Sequence, residues 1–176
     1  METKMKALRM HAPYDFRYED VPVPEIDDDE ILVKIEGCGI CAGDVKTLHG
    51  GVRVWGTSEE NRYIEAPVIG GHEFVGRVVK YGKNVKGVKE GDRMVSEQMV
   101  PCGECKFCKS GYYSMCQRHW IYGFKKDAQG GFAEYMKIQQ TGYPSSCSRR
   151  IDTGAGSSDR AAGMRNACSR KSKDSA

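Results

Sequence analysis

Residues 71–85 read GHEFVGRVVKYGKNV, and the fold prediction starts from this stretch. Its middle part, residues 73–81, is rich in valine and aromatic residues and is typical of a β-strand. Gly82 and Asn84 then predict a turn, because both residue types tolerate positive φ angles. His72 stands directly before the strand, so a side chain that can bind a metal lies where the strand begins.

Further short strands are predicted on both sides of this stretch. They lie at residues 5–10, 31–37, 92–98 and 131–137. The segment between the first two contains several prolines and the acidic residues 25–30, and we interpret it as a solvated turn. Residues 44–48 give the best helix signal, with Asp44 as a possible N-cap. Many short strands broken by glycine and proline predict a mainly β protein, a partly closed β-barrel with few short helices.

The composition divides the chain into a domain over residues 1–138 and a tail over residues 139–176. The tail is basic and rich in serine and glycine, and it contains few large apolar residues. Such a segment cannot bury enough apolar surface to offset the entropy lost on ordering, so we predict that it is disordered. Neither part contains a G-x-G-x-x-G dinucleotide fingerprint after a strand.

Overall composition indicates an ordinary globular domain. Hydrophobic residues make up 39% of the 176 residues and charged residues 29%, with a net charge of +3. This modest charge gives no reason to expect nucleic acid or a membrane surface as partner. The sequence has no apolar run of membrane-spanning length and no secretory leader pattern, so a cytoplasmic location is expected. The close spacing of its cysteines then favours metal binding over disulfides.

Four cysteines form the clearest motif, in a lobe at residues 98–120. Cys102, Cys105, Cys108 and Cys116 follow the pattern C-x2-C-x2-C-x7-C. Four thiolates complete the tetrahedral shell of zinc and leave no position for a substrate, so the pattern predicts a structural zinc site. An iron–sulfur cluster is the alternative, although the gap before the last cysteine is longer than in the common ferredoxin pattern. Disulfides are the other alternative, and they are disfavoured in a reducing compartment.

A second possible metal site combines the end of one strand with the start of another. Cys41 follows the strand at 31–37, and His72 precedes the strand at 73–81. A thiolate and an imidazole with nearby carboxylates suit a zinc ion with an open position, and Asp44 is the natural partner for the imidazole. On its own the pair is weak evidence. A buried structural cysteine and a hydrogen-bonded histidine would be the more ordinary explanation.

The combination of motifs resembles the zinc-containing alcohol dehydrogenases of the medium-chain dehydrogenase/reductase family. Residues 71–85 are similar to the family's zinc signature, with Gly76, Gly82 and Val85 at its spaced positions. The other matching segments, in the family's order, are residues 39–44, the four-cysteine lobe, residues 91–95 (GDRMV) and residues 130–135 (GGFAEY). The resemblance covers residues 4 to about 138. Residues 38–47 and a tryptophan-containing loop at 54–56 are most similar to polyol dehydrogenases of the erythritol/threitol type.

This resemblance implies a GroES-like barrel and an active site. It implies that Cys41 and His72 bind a catalytic zinc, that Glu73 lies beside the metal and that Asp44 orients His72. It implies NAD(P)-dependent oxidation of an alcohol or polyol, with zinc polarising the hydroxyl before hydride transfer. The expected partner is therefore a small-molecule alcohol, not nucleic acid or a membrane. Family members are homo-oligomers, which is not a firm expectation for this chain.

Two departures from the family pattern limit these expectations. Many members carry a serine or threonine as a proton relay where this chain has Gly43, so Lys46 and His49 become candidates for that role. Family members also continue with a third zinc ligand, cysteine or glutamate, and a Rossmann domain, and neither pattern occurs in this sequence. We therefore expect a truncated chain that is inactive alone, with a tail of the kind a frameshift produces. A metal-binding module with a basic tail that binds nucleic acid or protein is the alternative, and a zinc-free reductase is a third.

Overall fold

The structure is a computed structural model that describes residues 3–139 and the backbone of residues 149–150. Its strands are β1 Lys4–Ala12, β2 Asp15–Pro22, β3 Glu30–Gly39, β4 Val68–Ile69, β5 Glu73–Tyr81, β6 Arg93–Val95, β7 Met99–Val100, β8 Trp120–Ile121, β9 Tyr135–Gln139 and β10 Arg149–Arg150. Its helices are α1 Ala42–Leu48, α2 Val52–Trp55 and α3 Lys106–Lys109, with a 3-10 turn at Tyr113–Met115. Within these described residues no helix is long and apolar enough to cross a membrane.

The described strands form a five-stranded, a three-stranded and a two-stranded sheet. The orders are β10-β6-β5-β3-β9, β2-β1-β4 and β7-β8. The predicted mainly β class is confirmed, and none of the three sheets closes on itself within the part of the chain described. An isolated bridge between Ala7 and Ala133 joins the three-stranded sheet to the segment that leads into β9.

The antiparallel pairing of β3 with β5 positions the candidate site. Its register sets Cys38 opposite Phe74 and Gly39 opposite Glu73. The end of β3 therefore lies beside the start of β5, although about thirty residues separate them along the chain. The pair holds its register because apolar side chains of both strands enter one core, whose fully buried members include Ile31, Val33, Phe74, Val78, Met94, Met136 and Ile138.

The strands predicted at 5–10, 31–37 and 73–81 are confirmed, and the segment predicted as a turn between the first two is a turn only over its acidic part, residues 23–29. Most of its earlier part forms β2, which pairs with β1 as a hairpin whose turn includes Tyr14 at φ 59°. This strand has little signature in the sequence because β2 buries only Val21, and its stability comes from the ladder with β1 rather than from apolar alternation.

Two predicted strands have the wrong bounds. The strand predicted at 92–98 is limited to β6, three residues long. The strand predicted at 131–137 begins only at Tyr135, because the backbone N–H groups of Gly131 and Phe132 donate to Gly71 and Gly70 instead of to a sheet neighbour. This loop contact closes over the start of β5, next to the candidate site.

The predicted tail begins where β9 ends. Gln139 is the last residue of β9, and the backbone of β10 pairs with β6. The other residues from 140 to 176 lie outside the described part of the chain, so the predicted disorder of the tail and the domain boundary at 138 stay predictions.

Candidate metal centres

Three potential metal donors meet at the junction of β3 and β5. Cys41 Sγ lies 3.0 Å from His72 Nε2. A carboxylate oxygen of Glu73 joins them, and the three donor atoms all lie within 4.8 Å of one another. Each of the three residues keeps part of its surface exposed, so the group is not sealed from solvent. A thiolate, an imidazole and a carboxylate form a mixed donor set of the kind that zinc accepts.

The environment of the other ring nitrogen of His72 also supports a metal site here. Nδ1 is buried and has no hydrogen-bond partner, and Asp44 Oδ1 stands 3.6 Å away. Both side chains are more than nine-tenths buried. Polar atoms are seldom left unpaired inside a protein. A small movement of the ring toward Asp44 would let Nδ1–H donate to the carboxylate and would direct the Nε2 lone pair at an ion shared with Cys41.

The first turn of α1 fixes Cys41 and Asp44 together. Cys41, and not Asp44, is the N-cap of this helix, so the predicted cap is wrong by three residues. Cys41 Sγ accepts from Gly43 N at 3.1 Å, and Asp44 Oδ2 accepts from Cys41 N at 2.8 Å. This is a capping box with a cysteine in the place usually taken by serine or threonine. One carboxylate thus closes the helix end and faces the imidazole of His72.

Burial governs the titration of the two thiols near β3. Burial raises the pKa of the Cys41 thiol, although the backbone N–H groups of Asp44 and Gly43 oppose the rise. Burial also raises the pKa of Cys38, to about 12. A bound cation would favour the thiolate of Cys41, because metals bind the deprotonated form. Cys38 lies outside the group of three donors, so it is a packing residue.

Gly71 is required by the same junction. Its φ is +89°, a conformation that favours glycine, and a Cβ there would lie 2.7 Å from the Phe132 ring and 2.8 Å from Cys38 Sγ. The absence of a side chain at this position lets β5 start close against the end of β3. His72 is thereby brought next to Cys41.

The three residues considered for proton transfer occupy different surroundings. A Cβ at Gly43 would lie 3.0 Å from Cys41 Sγ and 3.8 Å from His72 Cε1, so this position faces the donor group. Lys46 is exposed on α1. His49 is exposed at the end of α1, where Nδ1 lies 3.0 Å from the hydroxyl of Tyr14. The roles suggested for Lys46 and His49 stay predictions.

The four cysteines of the lobe converge as their spacing predicts. Their sulfur atoms all lie within 4.8 Å of one another. Cys102 Sγ lies 3.9 Å from Cys108 Sγ, far beyond the roughly 2.05 Å of a disulfide. All four are free thiols, so the disulfide alternative is wrong for this lobe. Their number and spread fit a tetrahedral ion.

Backbone N–H groups already prepare the lobe for negative charge. Cys105, the N-cap of α3, accepts from Cys108 N at 3.5 Å. Cys102 Sγ accepts from Cys105 N, and Cys116 Sγ accepts from Cys102 N. Hydrogen bonds from the backbone of Gln117 and Cys108 lower the pKa of Cys105 to about 6. Burial raises the pKa of Cys108 to about 12, and a bound cation would offset that cost.

Phe124 is a site residue that the sequence did not reveal. Its ring lies 5.7 Å from the ring of His72, centroid to centroid, and its side chain is buried in a small apolar cluster with Trp55 and Ile64. No spacing or motif distinguishes this phenylalanine from other core residues. Only the return of the chain after β8 brings it to the imidazole.

The comparisons agree on one family. The alcohol dehydrogenase GroES-like domain matches residues 27–145. An erythritol/L-threitol dehydrogenase of Mycolicibacterium smegmatis is 48% identical over 136 residues, which is 76% of this chain and 38% of that protein. A sorbitol dehydrogenase of Bombyx mori is 39% identical over 135 residues, 77% of this chain and 37% of that protein. The chain thus spans less than two-fifths of the length of these relatives.

Solved structures give the same result. The 2R,3R-butanediol dehydrogenase of Bacillus subtilis matches with a TM-score of 0.70 and 28% identity, over 89% of this chain and 43% of that one. The galactitol-1-phosphate dehydrogenase of Escherichia coli matches with a TM-score of 0.70 and 27% identity, over 89% of this chain and 41% of that one.

Proposed function

The chain belongs to the family of alcohol dehydrogenase GroES-like domains, and we propose that it forms the zinc-binding part of an NAD(P)-dependent dehydrogenase acting on an alcohol or polyol. The fold proposed with it is the family's partly closed barrel over residues 1–138, with residues 139–176 as a tail outside it. The similarity to an erythritol/L-threitol dehydrogenase supports a small polyol as substrate.

One observation carries the proposal: Cys41, His72 and Glu73 converge from two strand ends while the buried Nδ1 of His72 faces Asp44. Convergence of three unlike donors is costly without an ion, because two of them can carry negative charge. Asp44 faces Nδ1 of His72, and Nε2 of the same ring faces Cys41. In this arrangement a carboxylate sets the tautomer of an imidazole that binds a metal.

The donor residues and the residues around them have different roles in the proposed reaction. When bound, zinc supplies a Lewis acid that polarises the hydroxyl of the substrate. Cys41, His72 and Glu73 hold the ion, Asp44 keeps the proton on His72 Nδ1, and Phe124 covers one side of the imidazole with an apolar ring. Gly43 offers no hydroxyl to receive a proton, so proton release goes through water, the other hydroxyls of the polyol or a more distant group such as Lys46.

The four-cysteine lobe has a structural role in the same proposal. Its four thiols supply all four ligands of a tetrahedral zinc, so substrate has no free position there. Apart from the two-residue strands β7 and β8 at its base, the lobe contains only short helical turns, and few of its side chains besides Cys108 and Cys116 are buried. An ion would therefore be the main means of holding it together.

Cobalt(II) binding tests the proposal, because cobalt replaces zinc and its visible bands report thiolate ligation. With zinc in the four-cysteine lobe, the chain is expected to bind one further cobalt ion with a sulfur-to-cobalt charge-transfer band. Cys41→Ser is expected to abolish that band.

Cys38→Ser is the matched control, because Cys38 is a neighbouring, partly buried thiol outside the donor group. The control variant is expected to keep the band. Retention of the same band and affinity in Cys41→Ser would refute the assignment of this site.

A further inference from the structure

A row of rings connects the two candidate metal centres. The ring of Phe124 lies 5.7 Å from His72, and the ring of Tyr63 lies 5.8 Å from Phe124. The ring of Tyr63 in turn lies 5.9 Å from His119, three residues after the last cysteine of the lobe. These separations are within the range of direct aromatic contact. The row therefore runs without a gap from the catalytic imidazole to the exit of the lobe.

The hydroxyl of Tyr63 fixes this row to the backbone that follows Cys116. It donates to the carbonyl of His119 at 2.6 Å. Burial raises the pKa of Tyr63 to about 12, against a hydrogen bond from the backbone of Ile121, so the phenol keeps its proton at neutral pH. The N–H of His119 donates to the carbonyl of Cys116 at 3.0 Å. A shift of Cys116 is thus passed to His119 and to the phenol.

The other end of Tyr63 is held equally firmly. Lys125 Nζ lies 4.5 Å from the centre of the Tyr63 ring and forms an ion pair with Glu65 at 3.2 Å. The N–H of Glu65 donates to the carbonyl of Phe124 at 2.9 Å. These contacts tie Tyr63 to Phe124 through Lys125 and Glu65 as well as through the rings. A displacement of Tyr63 therefore removes support from the Phe124 ring that lies beside His72.

We propose that Tyr63 is a positioning residue that couples metal binding in the four-cysteine lobe to the orientation of His72. The inference rests on the proposed function, because it takes both cysteine-containing centres as metal sites. With an ion in the lobe, Cys116 and His119 would be fixed, Tyr63 would be anchored and Phe124 would be held against the ring of His72. When the lobe is empty, the anchor at His119 loosens and His72 loses one wall of its pocket. Coupling of this kind is reciprocal, and it is measurable as a ratio of affinities.

The test measures the affinity of cobalt(II) for the Cys41 site with the lobe loaded with zinc and with the lobe disabled by Cys105→Ser. In the otherwise unchanged chain, zinc in the lobe is expected to tighten cobalt binding by about fivefold or more, the lower end of typical coupling. Tyr63→Phe, which removes only the hydroxyl, is expected to bring this ratio close to one. The same substitution is expected to weaken cobalt binding by about two- to tenfold when the lobe is loaded, as the loss of one hydrogen bond predicts.

Tyr122→Phe is the matched control. Tyr122 is a buried tyrosine whose hydroxyl accepts from Gln139 N at 2.9 Å, and it packs on Phe74. Its replacement also removes a buried phenol oxygen, but it is expected to leave the coupling ratio unchanged. Equal loss of coupling in both variants would mean a general loss of stability and would overturn the role given to Tyr63.

A second measurement needs no metal at the Cys41 site. In a Cys41→Ser chain, addition of zinc to the lobe is expected to shift the ring 15N signals of His72, and Tyr63→Phe is expected to remove that shift. If the 15N signals of His72 do not change when zinc is added, or if the zinc-dependent shift persists in Tyr63→Phe, the inference is overturned. If cobalt never binds at Cys41 in the unchanged chain, the proposed function fails instead. The two failures are therefore distinguishable.

Discussion

At the scale of single residues, Asp44 links the local structure of α1 to the chemistry of the site. Its Oδ2 caps the helix through Cys41 N, and its Oδ1 faces His72 Nδ1. A carboxylate serves both contacts, because both of its oxygens accept hydrogen bonds. An amide serves only one of them, since its nitrogen is a donor. Substitution of Asp44 by an amide can therefore remove the contact with His72 and keep the helix cap.

Asp44→Asn is expected to weaken cobalt or zinc binding at the Cys41 site by about 10- to 100-fold, the usual cost of losing such a carboxylate partner. The amide oxygen can still accept from Cys41 N, so the thermal midpoint is expected to change little. Cobalt titration followed by thermal unfolding measures both effects.

Asp20→Asn serves as the control for Asp44→Asn, because Asp20 is an exposed aspartate that pairs only with Lys6 among the described contacts. An Asp44→Asn chain with the affinity of the unchanged chain would contradict the orienting role of this carboxylate.

At the scale of elements, the molecule combines a sheet that carries its own core with a lobe that does not. β3 and β5 share a core of fully buried apolar side chains. The lobe instead depends on N–H to sulfur contacts, on a 3-10 turn and on Arg118, whose guanidinium stacks on Trp120 at 4.1 Å and donates to the carbonyls of Val100 and Pro101. A metal ion bound by the four thiolates would add its binding free energy to the folding of this lobe.

Removal of metal by a chelator is therefore expected to open the lobe while the five-stranded sheet stays folded. Trypsin is expected to cut faster after Lys106 and Lys109 in the chelated chain, and re-addition of zinc should restore protection. Cleavage after Lys83, in an exposed turn of the sheet, is the internal control and should not change. Mass spectrometry of the fragments measures these rates. Equal acceleration at Lys83 would show that the whole domain depends on metal.

At the scale of the whole molecule, the described residues supply the metal-holding half of the proposed reaction. The sequence contains no G-x-G-x-x-G pattern after a strand, and its relatives are more than twice as long as the segment they share with it. The hydride acceptor carries the redox chemistry in such enzymes, so the metal site by itself cannot complete the reaction.

The purified 176-residue chain is accordingly expected to bind zinc in the four-cysteine lobe and to give no polyol-dependent reduction of NAD or NADP. Metal analysis and absorbance of the reduced cofactor, with erythritol and threitol as substrates, measure this. The erythritol/L-threitol dehydrogenase of Mycolicibacterium smegmatis is the positive control. Cofactor reduction that requires Cys41 would contradict the expectation.

Local patterns in the sequence predict much of the fold and part of the site. The strands around residues 31–37 and 73–81 and the convergence of Cys102, Cys105, Cys108 and Cys116 follow from local patterns, because side-chain periodicity and ligand spacing are properties of neighbouring residues. β2 cannot be predicted in this way, since a strand stabilised mainly by its ladder leaves no apolar alternation in the sequence.

The tertiary structure alone decided how distant residues meet. The register of β3 against β5 places Cys41 next to His72, and the capping box of α1 places Asp44 beside the imidazole. The segment after β8 places the Phe124 ring against the same imidazole. Spacing along the chain does not predict these contacts. They depend on which strand ends lie side by side and on the space that Gly71 leaves between those strand ends. The sequence determines which side chains can bind a metal, and the packing of the sheet determines how those side chains are arranged, because strand pairing brings distant residues together.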